Sequence, residues 1–145
     1  MKLTKESEYC LIALTYLSRQ PSDKILQMAQ VAEAINVPKP FLSKIFVKLV
    51  RQNVLRSFRG AIRGYQLNRP PEEISIKEVL EIIEGPDVFK RCVFSTDRCS
   101  EEDECILHEH WQRSVRSNTL EMVKKLSLKQ LSKSTSNFTS KLKRL

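Results

Sequence analysis

The chain has 145 residues, 41% of them hydrophobic and 29% charged, with a formal net charge of +8. That length makes one ordinary domain, or a small domain with an appended arm, and three glycines are too few for a loop-rich chain. No run approaches the roughly 18 consecutive apolar residues of a membrane span, and the start lacks a signal-peptide layout, so the sequence predicts a cytoplasmic protein with reduced thiols.

Taken in chain order, Thr4 is placed to cap a helix reaching about Arg19, with Leu11, Ala13, Leu14 and Leu17 at helical spacing. Pro21 ends it. A short alanine-rich helix follows from about Gln27 to Ala34. Asn36 can take the left-handed conformation that closes a helix, and Pro40 suits a first turn. The next segment, Phe41 to Gln52, is amphipathic. Leu42, Ile45, Phe46, Leu49 and Val50 form one stripe, while Ser43, Lys44, Val47, Lys48 and Arg51 point the other way.

Two β-prone runs, Val54 to Phe58 and Gly64 to Leu67, flank RGAIR and predict a hairpin with Arg59 and Arg63 at its tip. Past Pro70 and Pro71, Ser75 and Glu78 form a capping box for a helix to about Ile83. Gly85 and Pro86 stop it. A long helix is expected from about Cys105 to Leu126, with Leu107, Trp111, Val115 or Ser114, Asn118, Met122 and Leu126 along one side. Ser127 caps a final turn, and Ser132 to Leu145 reads as a mobile basic tail.

The charge is not evenly spread. Lys39, Lys44, Lys48, Arg51, Arg56, Arg59, Arg63 and Arg69 fall within a 31-residue segment without a carboxylate, so this segment alone carries a charge of +8. Such a surface faces phosphates. Two helices joined by a tight turn, then a hairpin with basic ends, is the order of a winged helix–turn–helix. The second helix would lie in the major groove with Lys39, Ser43, Lys44, Lys48 and Arg51 toward DNA, and Arg59 and Arg63 would sit on the wing. The long C-terminal helix then needs a partner, and a second copy around a two-fold axis would let the dimer read a pseudo-palindromic operator.

Cys92, Cys99, Cys105 and His108 are separated by six, five and two residues. Structural zinc sites pair ligands at shorter cysteine spacing, which weakens zinc, and spaced thiolates also suit an iron–sulfur cluster. Spacing alone leaves zinc, cluster and uncommitted thiols open. Glu101, Glu102, Asp103 and Glu104 lie among these residues and would lower a cluster's potential. Cys10, inside the first helix, reads as a small buried hydrophobe. No Cys-x-x-Cys pair on a βαβ unit, Gly-rich phosphate loop or Ser/His/Asp arrangement is present, so the sequence does not read as an enzyme.

Several motifs together resemble one family. MKLTKESEY at the start, INVPKPFLSKIFVKL from Ile35, RGAIRGYQL from Arg59 and three cysteines before a long helix are similar to the iron–sulfur winged-helix regulators typified by IscR and NsrR. The similarity runs from Met1 to about Leu131. It implies a mainly α fold with a small β-hairpin wing, divided into a DNA-binding domain (1–84), a cysteine sensor loop (85–104), a dimerisation helix (105–131) and a tail (132–145). It also implies a homodimer holding a 4Fe–4S or 2Fe–2S cluster on Cys92, Cys99 and Cys105. The fourth ligand would be His108, or Glu8 contributed by the partner subunit. The chain departs from the family in three places: its first cysteine gap is one residue longer than usual, Ile62–Gly64 replaces the wing's glycine pair, and Asn36 and Asn53 stand where glycine is common.

Overall fold

The computed structural model describes residues 3–92 and 105–134. The elements are α1 (Lys5–Ser18), α2 (Met28–Ile35), α3 (Lys39–Arg51), β1 (Leu55–Phe58), β2 (Gly64–Leu67), α4 (Ile76–Glu84), α5 (Ile106–His110), a π-helical segment (Trp111–Arg116), α6 (Ser117–Lys125) and α7 (Leu128–Ser134). The fold is mainly helical with one two-stranded antiparallel hairpin, as expected.

Local sequence accounts for most boundaries. Asn36 closes α2 in the left-handed region, at φ 55°, and Asn53 turns the chain out of α3 at φ 57°. Asparagine tolerates this conformation because its short polar side chain hydrogen-bonds locally. Ser75 caps α4 by accepting from the Glu78 backbone N–H at 3.1 Å. At α1 the expectation fails. Thr4 precedes the helix but makes no capping bond, because its hydroxyl is drawn away to Glu84.

The core forms where α1, α3 and α4 meet. Leu42, Ile45, Phe46 and Leu49 of α3 are fully buried against Cys10, Leu14 and Leu17 of α1 and Val79 of α4. Burying such side chains contributes about 1.5–3 kcal/mol each, and this packing fixes which face of α3 remains outside. The hairpin pairs Leu55 with Leu67 and Phe58 with Gly64. Leu26 adds a single bridge to Tyr65, a contact too short to leave any periodic signal in the sequence. Tyr65 also meets Phe46 edge-to-face at 4.8 Å between ring centroids, tying the hairpin to α3.

The C-terminal helix is not one continuous α-helix. The Ser117 hydroxyl donates to the carbonyls of Gln112 and Arg113, competing with the helical ladder where the π segment lies. The wider turn shifts the phase of the side chains beyond it; Trp111 is buried while Leu107, Val115 and Met122 are exposed. Beyond it, Val123 packs with Ile76, Leu80, Val88 and Phe89 in a second cluster. Ile76 N–H donates to the Leu126 carbonyl and Leu128 N–H to the Ile74 carbonyl. Helix α7 then packs against α1, with Leu128 fully buried in the main core. Ser132, expected to begin the tail, still belongs to α7, and residues 135–145 lie outside the described residues.

Candidate functional site

The cations of the basic segment divide into two groups by their partners. Lys48 Nζ lies 2.8 Å from Glu6 Oε1 and donates to the Ile83 carbonyl at 3.4 Å. Arg69 is paired with Glu78. These two charges are spent inside the protein, and Lys48, expected among the groove-facing residues, points instead toward α1 and α4. Lys39, Lys44, Arg51, Arg59 and Arg63 are exposed and have no carboxylate partner among the described residues. Ser43 lies exposed on the same side of α3.

Between α3 and the hairpin runs a groove of about 580 Å³, with Arg51, Arg59 and Arg63 on its rim and Met28, Val47 and Phe58 among its apolar walls. The guanidinium of Arg56 stacks over the Phe58 ring at 5.0 Å. A helix face whose exposed cations have no carboxylate partner among the described residues, beside a basic hairpin, suits a phosphate backbone passing between the two. Charges already neutralised by Glu6 and Glu78 release no counterions on binding and add little to such a surface.

The cysteine region is only partly described. Cys92 is half-buried and Cys105 is exposed just ahead of α5. Cys99 and the acidic residues Glu101 to Glu104 lie outside the described residues. His108 sits one turn into the helix, its N–H donating to the Cys105 carbonyl at 2.9 Å. Its Nδ1 is buried and has no hydrogen-bond partner among the described residues. An imidazole nitrogen in that state is suited to accept a metal, so the donor set of Cys92, Cys105 and His108 fits the chemistry expected of it. Glu8 pairs with Lys5 at 2.8 Å on the first turn of α1, and His110 is exposed. Among the described residues no three metal-binding side chains already converge on one point. Cys10 is fully enclosed, and burial pushes its thiol well up, so it stays protonated and packs as a hydrophobe.

One residue was not foreseen. The Glu84 side chain, at the end of α4, is only 3% exposed. Its Oε1 accepts from the Thr4 backbone N–H and hydroxyl at 2.7 Å each and from the Ser7 hydroxyl at 2.6 Å. Arg91 donates to the Glu84 carbonyl at 2.6 Å, and its Nη1 lies 4.0 Å from the carboxylate. Burial would raise the Glu84 pKa, but the bonds from Ser7 and Thr4 and the charge of Arg91 outweigh it and hold the group below its ordinary 4.5. A depressed folded-state pKa contributes stability above 4.5 that is lost as pH falls through the lower native value. Wild type is therefore expected to lose stability below pH 4.5 more steeply than Glu84→Gln, as measured by urea denaturation between pH 3 and 7. Equal slopes would contradict this assignment.

Comparisons with known proteins bear on the family and the fold. The model of the Rrf2 family, described as iron-dependent transcriptional regulators, matches residues 3–134. NsrR of Halalkalibacterium halodurans, an HTH-type transcriptional regulator, is 32% identical over 114 residues, 75% of this chain and 78% of that one. IscR of Cereibacter sphaeroides is 33% identical over 86 residues, 58% of this chain and 56% of its own. Among solved structures, CymR, the global cysteine regulator of B. subtilis, superposes with a TM-score of 0.78 at 23% identity, covering 94% of this chain and 99% of that chain. IscR of T. potens gives a TM-score of 0.71 at 19% identity, over 92% of this chain and 87% of that chain. These two likenesses establish the fold.

Proposed function

The chain belongs to the Rrf2 family of transcriptional regulators, and from that premise we propose that it is a homodimer which binds pseudo-palindromic double-stranded DNA and adjusts that binding through an iron–sulfur cluster. The family consists of regulators, not enzymes. The observation that carries the DNA-binding half is the set of exposed cations on α3 and the wing that have no carboxylate partner among the described residues. Ser43 and Lys44 face the major groove in this reading, Lys39 and Arg51 hold phosphates, and Arg59 and Arg63 reach the neighbouring backbone or minor groove. No described helix is long and apolar enough to cross a membrane, and a DNA-binding role supports a cytoplasmic location.

The dimer reading rests on Leu107, Val115 and Met122, which are 45–53% exposed along the C-terminal helix while Val123 on its other side is buried. An apolar row of that length facing outward fits a second copy. The cluster reading rests on the chemistry of Cys92, Cys105 and the Nδ1 of His108, which has no hydrogen-bond partner among the described residues, with Cys99 as the third thiolate. Bound there, the cluster supplies a group sensitive to redox state, nitric oxide and iron–sulfur supply. Glu8 of the partner subunit remains the rival for the fourth position.

The protein's own residues link this loop to α3. Cys92 follows Arg91, which grips Glu84; Glu84 holds Thr4 and Ser7 of the first helical turn; Glu6 of that turn pairs with Lys48 of α3. In this reading a change at Cys92 reaches the helix that faces DNA through those contacts. A coupling of about 1–3 kcal/mol changes operator affinity roughly five- to hundredfold. The test compares operator affinity of wild type with a variant carrying alanine at Cys92, Cys99 and Cys105, under anaerobic and oxidising conditions. Wild type should change affinity between the two conditions and the variant should not. If the two proteins behave identically in both, the cluster reading falls; stoichiometric zinc without sulfide would favour a structural zinc site instead.

A further inference from the structure

Val47 occupies the middle of the outward face of α3 and is 47% exposed. Ser43 stands one turn before it and Arg51 one turn after, so the three share a face. Val47 is not among the residues of the core or those packed against it, and a β-branched residue is a poorer helix former than alanine or lysine at an exposed position. It borders the groove whose rim carries Arg51, Arg59 and Arg63.

Its surroundings constrain what covers it. Cations on either side would hold the sugar–phosphate backbone, leaving the residue between them at the depth of the base edges. In the major groove only thymine offers an apolar feature, its 5-methyl group. We infer that Val47 is a specificity-determining residue that reads a thymine methyl in each half-site, an inference that rests on the DNA-binding reading above. Ile62, 66% exposed near the wing tip, makes a contrast. A wing in the minor groove meets no thymine methyl, so Ile62 would add affinity without distinguishing thymine from uracil.

The experiment selects an operator from a random duplex pool with the full-length wild-type protein. Symmetric thymine pairs are then replaced by deoxyuridine, one pair at a time, and affinities are read by fluorescence anisotropy. Deoxyuridine removes the methyl and leaves every hydrogen-bonding group in place. At one symmetric pair, wild type should lose about fourfold per half-site, or roughly fifteenfold per dimer, the worth of one buried methyl at each. Val47→Ala should bind the thymine and uracil operators equally, while Ile62→Ala keeps the wild-type discrimination. Indifference of wild type to every replacement, or an undiminished uracil effect in Val47→Ala, would overturn the assignment and leave DNA binding intact. A pool yielding no enriched sequence would instead overturn the DNA-binding reading and this inference with it.

Discussion

Replacing Arg59 and Arg63 together by alanine is expected to weaken operator binding about a thousandfold near 0.15 M salt and to flatten the log–log salt slope by about 3–4. Both side chains are exposed at the two ends of the hairpin tip and neither has a carboxylate partner among the described residues. A dimer carries four such charges, each releasing nearly one counterion on meeting a phosphate. Fold stability should barely change, because neither residue packs in the core. Lys48→Ala should behave in the opposite way. It breaks the contact with Glu6 and costs stability, but it removes no phosphate-facing charge and leaves the salt slope unchanged. Anisotropy titrations at four salt concentrations separate the two; a slope unmoved by loss of both arginines would show that the wing does not touch DNA.

The largest expected loss of stability comes from Gly64→Ala. Gly64 opens β2 at φ 153°, and an added Cβ would lie 2.6 Å from the Leu26 carbonyl oxygen and 2.7 Å from Ile25 Cγ2. The obstructing atom is backbone held by the Leu26–Tyr65 bridge, so it cannot swing aside. Steric overlap and backbone strain together should cost about 4 kcal/mol, lowering Tm by about 10 °C. Gly60 makes the control. It also has positive φ, at 96°, but nothing lies within 4 Å of its added Cβ. Gly60→Ala should therefore cost only about 1–2 kcal/mol of conformational strain. Similar melting temperatures for the two variants would contradict the close approach at Leu26.

What the sequence revealed depended on how far apart the interacting residues are. The apolar stripe of α3, the hairpin and the left-handed turn at Asn36 were all legible, because each is written within about a dozen residues and obeys a local period. The pairing of Lys48 left no signal because helical periodicity puts it outward, while its partner Glu6 lies 42 positions earlier in the chain. Glu84 left no signal at all. A glutamate ending a helix looks solvated, and its donors Thr4 and Ser7 are 80 and 77 residues away. The same distance took Thr4 from its expected role as a cap. Trp111 was expected on the same side as Leu107 and Val115, and the π segment defeats that expectation because an α period assumes an unbroken ladder. For the cysteine region, spacing singled out Cys92, Cys99, Cys105 and His108 but left zinc, cluster and free thiols open, and the buried Nδ1 of His108, without a partner among the described residues, is a feature spacing could not supply.

The most direct measurement joins the two halves of the account in one sample. Protein purified without oxygen is analysed for iron, sulfide and zinc, and the same sample is titrated with its selected operator before and after the metal is removed by chelation. Iron and sulfide in near-equal amounts, with operator affinity shifting at least fivefold on removal, is the predicted result. A protein that takes up neither iron nor sulfide even after reconstitution, and binds the operator identically throughout, would contradict it.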